Sequence, residues 1–340
     1  MKVVLLPGDG RVEVVDRAEP LPSPGEVLVH MRASAICRSD MSLYRGRPIV
    51  GSSEAGGQIV PGHEASGDVV AVGEGVRAVA VGERVAGYLA AGCGHCAHCS
   101  SGAWMLCRQW RCMGFDFDGG DEELFLLPER CCLRIPDGVS YVGGAVLTDM
   151  VGTQFHLQRL AGVGGASTMV VVGLGPMGNA GVMVGRALGA VVIAVDPLSA
   201  RRDRARLLGA SETLTPEEFT ERRAAGYLGE GADLAVDCSG SAAGELTALD
   251  AVRPEADVFF VGERTETPID PSNQLIRKLT RLRGGWYFPR WRYDELAAFV
   301  DNGRLPLDDL VSDQVLLDNA AEAFRAFDAR EVEKIVFVAE

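Results

Sequence analysis

The chain has 340 residues, 47% of them apolar and 24% charged, with a net charge of −14 at pH 7. That length gives room for two domains, each able to bury its own core without cross-links. The acidic balance argues against duplex nucleic acid or an anionic membrane surface as a partner, since both need clustered Lys and Arg, and favours an enzyme acting on a small molecule.

The first ten residues, M-K-V-V-L-L-P-G-D-G, hold one short apolar run broken by Pro7, Gly8 and Asp9. That is too short for a signal peptide, so a reducing cytoplasm is expected. Residues 1–150 then read as short strands joined by turns, including G-E-V-L-V-H-M-R-A, G-D-V-V-A-V-G and G-E-R-V-A-G-Y, the pattern of a compact β-rich domain. Within it, Cys93, Cys96, Cys99 and Cys107 form a C-x2-C-x2-C-x7-C run in a lobe spanning about 90–110. Four thiolates at such spacing can close a tetrahedral shell around Zn2+. Disulfides are the other reading, but they belong to oxidising compartments and small secreted domains. A closed four-sulfur shell leaves no position for substrate, so this zinc is structural.

From about 151 to 290 strands alternate with helices (T-M-V-V-V-G, V-V-I-A-V-D, L-A-V-D-C-S-G, V-F-F-V-G), which predicts a parallel sheet covered on both faces. No charged side chain stands between Arg159 and Arg186, but the glycines and Pro176 divide that stretch into strand, turn and helix, not a membrane span. Residues 291–340 add two amphipathic helices and a terminal strand, K-I-V-F-V, expected to return to the first domain.

The turn G-L-G-P-M-G at 173–178 follows a buried strand and opens a helix of small residues. Gly173, Gly175 and Gly178 let the backbone approach a pyrophosphate, which Pro176, Met177 and the helix N-terminus then face. Asp196 ends the next strand about 20 residues on, where a carboxylate accepts hydrogen bonds from ribose hydroxyls and repels a 2′-phosphate. NAD is therefore expected over NADP, although Arg201 and Arg202 stand near enough to help a phosphate. Three further elements have ligand character: Cys37 in I-C-R-S-D, His63 and Glu64 in P-G-H-E, and Asp149 in A-V-L-T-D-M. A thiolate, an imidazole and a carboxylate leave one position open, as catalytic zinc requires. Singly, Cys37 reads equally as a core residue, His63 as a structural group and Asp149 as the N-cap of the following helix.

Together these motifs (C-R-S-D at 37–40, G-H-E-A-S-G-D-V at 62–69, the cysteine run, A-V-L-T-D-M-V-G-T-Q-F-H at 145–156, and G-L-G-P-M-G with Asp196) resemble the zinc-containing medium-chain alcohol dehydrogenases over almost the whole chain. The resemblance implies an α/β fold: a GroES-like β-rich catalytic domain over 1–150, a Rossmann doubly wound parallel-sheet domain binding NAD over 151–290, and a return segment over 291–340. It implies Cys37, His63 and Asp149 as ligands of a catalytic zinc, with Glu64 beside the metal and able to ligate in some states. The third ligand is Cys in many members, Glu in the polyol and threonine branches and Asp in a bacterial branch acting on secondary alcohols, which L-T-D-M matches. Ser39 would bond the substrate hydroxyl, Asp40 would bond His63, Thr153 would lie against the nicotinamide, and Arg38 would reach the pyrophosphate. Some members carry a proton-relay His where this chain has Ser42.

The activity so implied is reversible oxidation of a secondary alcohol to a ketone, with two Zn2+ per chain; a polyol, cyclitol or sugar dehydrogenase and a non-catalytic nucleotide- and zinc-binding paralogue are the alternatives. Tyr44, Phe115, Trp286, Tyr287 and Phe288 are candidate pocket residues or core, and the polar loop G-S-S-E-A-G-G-Q at 51–58 is expected near the pocket entrance. A homodimer or homotetramer built through the Rossmann sheet edge near Gly284-Gly285-Trp286 is expected.

Overall fold

Apolar, β-branched runs bounded by Gly, Pro and acidic residues form the strands of the first half of the chain. In order these are β1 (Lys2–Leu5), β2 (Glu13–Asp16), β3 (Glu26–Ala35), β4 (Glu64–Val72), β5 (Arg84–Gly87), β6 (Ala90–Ala91), β7 (Arg111–Cys112), β8 (Leu124–Pro128) and β9 (Cys132–Arg134). Helices α1 (Asp40–Tyr44) and α2 (Ala97–Ser100) lie among them and α3 (Tyr141–Val146) follows. The computed structural model describes residues 1–47, 58–301, 303 and 305–339, so positions 51–57 of the polar loop lie outside the described residues. The chain divides into two units, Met1–Asp149 with Pro289–Glu340, and Met150–Phe288.

The second unit is an open parallel sheet of β10 (Thr168–Val172), β11 (Val191–Val195), β12 (Glu212–Leu214), β13 (Ala232–Asp237), β14 (Val252–Phe260) and β15 (Arg281–Gly284). Its order, β12-β11-β10-β13-β14-β15, is the 3-2-1-4-5-6 order of a dinucleotide-binding sheet. Helices α4 (Gly152–Leu160), α5 (Pro176–Ala187), α6 (Ser199–Leu207), α7 (Pro216–Ala224) and α8 (Ala242–Ala251) accompany it. Val170, Val172, Ile193, Val195, Ala235 and Val258 are buried in one cluster, which is why the central strands read as unbroken apolar runs. The edge strand β15, R-L-R-G, lies where the sheet edge was expected, just before Gly285-Trp286, whereas the other edge strand, β12 (E-T-L), escapes a sequence reading because an edge strand need not be apolar on both faces. The charge-free stretch resolves into β10, a glycine turn and α5, and no described helix is long and apolar enough to cross a membrane.

Helices α9 (Arg292–Asp301) and α10 (Ala320–Asp328) and strands β16 (Asp313–Val315) and β17 (Ile335–Val338) complete the first unit. Its main sheet runs β16-β17-β3-β4-β5-β9, with β8 also paired to β3. Alternate residues of β3, Val27, Val29, Met31, Ala33 and Ala35, point into a core shared with Phe125, Phe324 and Phe337. Register fixes what meets at one end of this sheet: Ala35 pairs with Glu64 on one side and with Val336 on the other.

Candidate active site

Cys37 follows the end of β3 by two residues, and His63 and Glu64 open β4, so the β3–β4 register alone brings a thiol, an imidazole and a carboxylate together. Gly62 turns the chain into that strand at φ +96, and a Cβ there would lie 2.4 Å from Asp121 Oδ1, so no other residue fits without rearrangement. Asp149 arrives on a π-helical turn, Leu147–Val151, directly after α3. Such turns insert an extra residue into a helix and recur at functional sites. The N-cap alternative for Asp149 fails: the cap is Ser140, whose hydroxyl accepts the Gly143 amide at 2.8 Å, and the residue preceding α4 is already helical.

One donor atom from each of Cys37, His63, Glu64 and Asp149 lies within 4.8 Å of the others. Asp149 Oδ2 is 3.7 Å from His63 Nε2 and 3.9 Å from Cys37 Sγ. These spacings are long for hydrogen bonds and near the roughly 3.4–3.8 Å edges of a tetrahedron of N, O and S donors around zinc. Glu64 Oε2 is buried without a hydrogen-bond partner. The donor types and spacings of Cys37, His63 and Asp149 fit Zn2+. Asp40, fully buried, accepts the Cys37 amide at Oδ2, 2.8 Å, and faces His63 Nδ1 with Oδ1, 3.2 Å. The latter pair is close but not aligned as a hydrogen bond, so it is an electrostatic contact first. Burial resists charge on His63, yet the Asp40 carboxylate and Cys37 outweigh it and hold the ring well above the ordinary imidazole value. Ser39 Oγ is 3.5 Å from His63 Nε2 and makes no capping bond to α1, so its hydroxyl is available to another partner. Phe115 leans over His63 with ring centroids 5.3 Å apart.

The four cysteines of the lobe also meet. Their sulfurs lie within 4.8 Å of one another, with Cys93 and Cys99 at 3.9 Å, close to the roughly 3.8 Å edge of a zinc-thiolate tetrahedron and about twice a disulfide bond. The His95 amide draws the Cys93 thiol down to about 6, while burial pushes Cys99 up to about 12. The Cys107 sulfur accepts the amides of Cys93 and Gln109 at 3.4 and 3.3 Å, which stabilises a thiolate there. His95 Nδ1 rests 3.1 Å from the Cys93 carbonyl, outside the sulfur shell.

At the nucleotide turn, Gly173 has φ +86 and packs so closely on the β13 loop that a Cβ would sit 2.5 Å from Ser239 N. Gly178 lets α5 approach the turn, since a Cβ would fall 1.9 Å from Gly173 O. Gly175, by contrast, faces open space just before Pro176 and Met177 begin α5, which suits a pyrophosphate at a helix N-terminus. Asp196 directly follows β11, but its oxygens already accept two amides, Leu174 at 2.8 Å and Leu198 at 2.9 Å. It thus also ties the glycine turn to the neighbouring strand. Arg201 Nη1 is 3.8 Å from Asp196 Oδ2, and Arg202 donates to the carbonyls of Asp196 and Pro197. Thr153 in α4 is buried with an unpartnered Oγ1.

The proposed pocket aromatics separate. Phe115 stands against His63, Tyr44 stacks on Phe324 in the core, Tyr287 and Phe288 are buried, and Trp286 is exposed. One residue of the metal corner was not foreseen: Lys334, 1% exposed, pairs with Glu64. Its signal was its position, a lone lysine opening an apolar strand in a chain whose other lysines are Lys2 and Lys278.

Residues 23–137 match the alcohol dehydrogenase GroES-like domain and residues 176–302 the zinc-binding dehydrogenase domain. The zinc-type alcohol dehydrogenase-like protein YphC of Escherichia coli K12 is 30% identical, over 99% of this chain and 98% of its own length. "Probable D-xylulose reductase A" of Emericella nidulans is 31% identical over 94% and 91% respectively. Among solved structures, alcohol dehydrogenase TADH from Thermus sp. ATN1 superposes with a TM-score of 0.90 at 28% identity, covering all of both chains. Similarity that runs from end to end and spans both domain types shows that the chain belongs to the zinc-containing medium-chain alcohol dehydrogenase family.

Proposed function

We propose that the protein is a zinc-dependent, NAD-linked dehydrogenase that interconverts a secondary alcohol and a ketone. The observation that carries this reading is the convergence of Cys37 Sγ, His63 Nε2 and Asp149 Oδ2 beside a Ser39 hydroxyl 3.5 Å from the ring. Cys37, His63 and Asp149 would hold the zinc, which supplies Lewis acidity that eases loss of a hydroxyl proton. Ser39 is the residue that relays that proton, taking it up as its own hydroxyl proton passes on toward Ser42 or water. Asp40 orients His63 through Nδ1 and anchors the Cys37 backbone, so both ligands move little. Phe115 gives the ligand corner an apolar wall.

Gly173, Gly175 and Gly178 cradle the pyrophosphate, Thr153 meets the nicotinamide, and Asp196 sets the preference for NAD over NADP, with Arg201 close beside it. Cys93, Cys96, Cys99 and Cys107 hold a second, structural zinc, giving two per chain. A cytoplasmic homodimer or homotetramer assembled through the β15 edge completes the proposal.

A second reading, oxidation of a polyol, is favoured by the similarity to a protein named for D-xylulose reduction. Two measurements test the whole. Metal analysis should give two zincs per chain, and NAD+ reduction should be strongest with secondary alcohols across a panel that includes polyols and cyclitols. One zinc with no turnover would leave only the structural lobe; turnover confined to polyols would select the second reading.

A further inference from the structure

Strand order brings a cation into the same corner as the candidate ligands. Ile36 N donates to Ile335 O at 3.0 Å, Val336 pairs with Ala35, and Ala35 pairs with Glu64, so Lys334, Cys37 and Glu64 gather at one end of three adjacent strands. Lys334 Nζ donates to Glu64 Oε1 at 2.6 Å and to the Ile36 carbonyl at 3.1 Å, with both side chains 1% exposed. Glu64 Oε1 is thereby committed to a buried ammonium, and a buried carboxylate is costly without such a partner.

We propose that Lys334 is a positioning residue for the metal corner: by holding Glu64 Oε1 it keeps that carboxylate off the metal, so that Cys37, His63 and Asp149 remain the protein ligands and the fourth position stays open. This rests on the metal reading above. Without the ammonium, Glu64 loses its counter-ion, and the metal is the cation left to it; the carboxylate then moves in and fills the open position.

The test uses full-length protein with cobalt(II) in the Cys37 site, whose visible d–d absorption is strong for four-coordinate and weak for five-coordinate metal. Lys334→Met should keep its metal, release it more slowly to a chelator and lose most of the d–d intensity. Lys334→Arg should retain the wild-type spectrum. Glu64→Gln should also leave the spectrum unchanged, because the carboxylate is not a ligand in the resting protein, and Lys334→Met combined with Glu64→Gln should restore the intensity that Lys334→Met loses. An unchanged spectrum in Lys334→Met, or an altered one in Glu64→Gln, overturns the proposal. Should Lys334→Met not fold, Lys334→Gln, which removes the charge but keeps a polar end, takes its place in the same comparison. A wild-type protein that takes up metal only in the cysteine lobe defeats the metal reading itself, and this proposal with it, and is distinguished by stoichiometry before any variant is compared.

Discussion

Asp40 Oδ1 lies 3.2 Å from His63 Nδ1 at a wholly buried position, leaving Nε2 as the ring nitrogen that faces Asp149. A carboxylate behind a ligating imidazole fixes its tautomer and raises its basicity. Since the same carboxylate accepts the Cys37 amide, it steadies two of the proposed ligands at once.

Asp40→Asn keeps the shape but removes the charge behind the ring. Affinity at the Cys37 site should fall by about 10- to 100-fold while the cysteine lobe keeps its zinc. Competition with a chromophoric chelator measures this, and wild-type affinity would show that Asp40 serves the backbone alone.

Asp149→Asn exchanges the carboxylate proposed to ligate zinc for an amide at nearly constant volume. Because Ser140 caps the helix, little helix stability depends on Asp149. Zinc content should drop from two per chain to one, activity should disappear, and thermal stability should change little. Two zincs with near-normal turnover would pass the third position to Glu64.

Cys99 is buried in the lobe, and its sulfur lies 3.9 Å from that of Cys93. Metal binding energy in such a lobe is folding energy. Cys99→Ser should therefore lower both the melting temperature and the soluble yield, and lose the lobe's zinc; loss of that zinc at unchanged stability would refute the structural role.

Much of this was legible in the chain because the ligands sit in short, spaced motifs. The cysteine run, G-L-G-P-M-G and the central Rossmann strands announce themselves through local spacing and unbroken apolar runs. Lys334 and the edge strand β12 do not. Lys334 gains its meaning from a pairing between residues 270 apart in sequence, which no local pattern encodes. Asp149 was ambiguous for a related reason: an Asp before a helical run looks like an N-cap until the π-turn shows the helix already under way.

Asp196 carries a structural duty that its motif does not reveal. Removing it in Asp196→Ala breaks two hydrogen bonds to the amides of Leu174 and Leu198, each contributing about 1.5–3 kcal/mol when the acceptor is charged. The variant should thus bind NAD+ more weakly, improve its relative use of NADP+, and lose thermal stability as the glycine turn loosens. A kinetic comparison of the two cofactors checks this, and a wild-type protein that already prefers NADP+ would reject the assignment.

Ser39 offers the cleanest separation of chemistry from structure. It occupies the N-cap position of α1 yet makes no capping bond, so the hydroxyl contributes nothing visible to that helix, and it stands 3.5 Å from His63 Nε2. If it relays the proton of the alcohol, Ser39→Ala should lower kcat by about 10²- to 10⁴-fold, the usual contribution of a positioned acid-base group. Zinc content, melting temperature and NAD+ affinity should stay at wild-type values, because none of them depends on Oγ. Ser39→Thr, which keeps a hydroxyl, should recover part of the rate. A wild-type kcat in Ser39→Ala would assign proton transfer to another group, and a joint loss of zinc and rate would recast Ser39 as a support of the ligand loop.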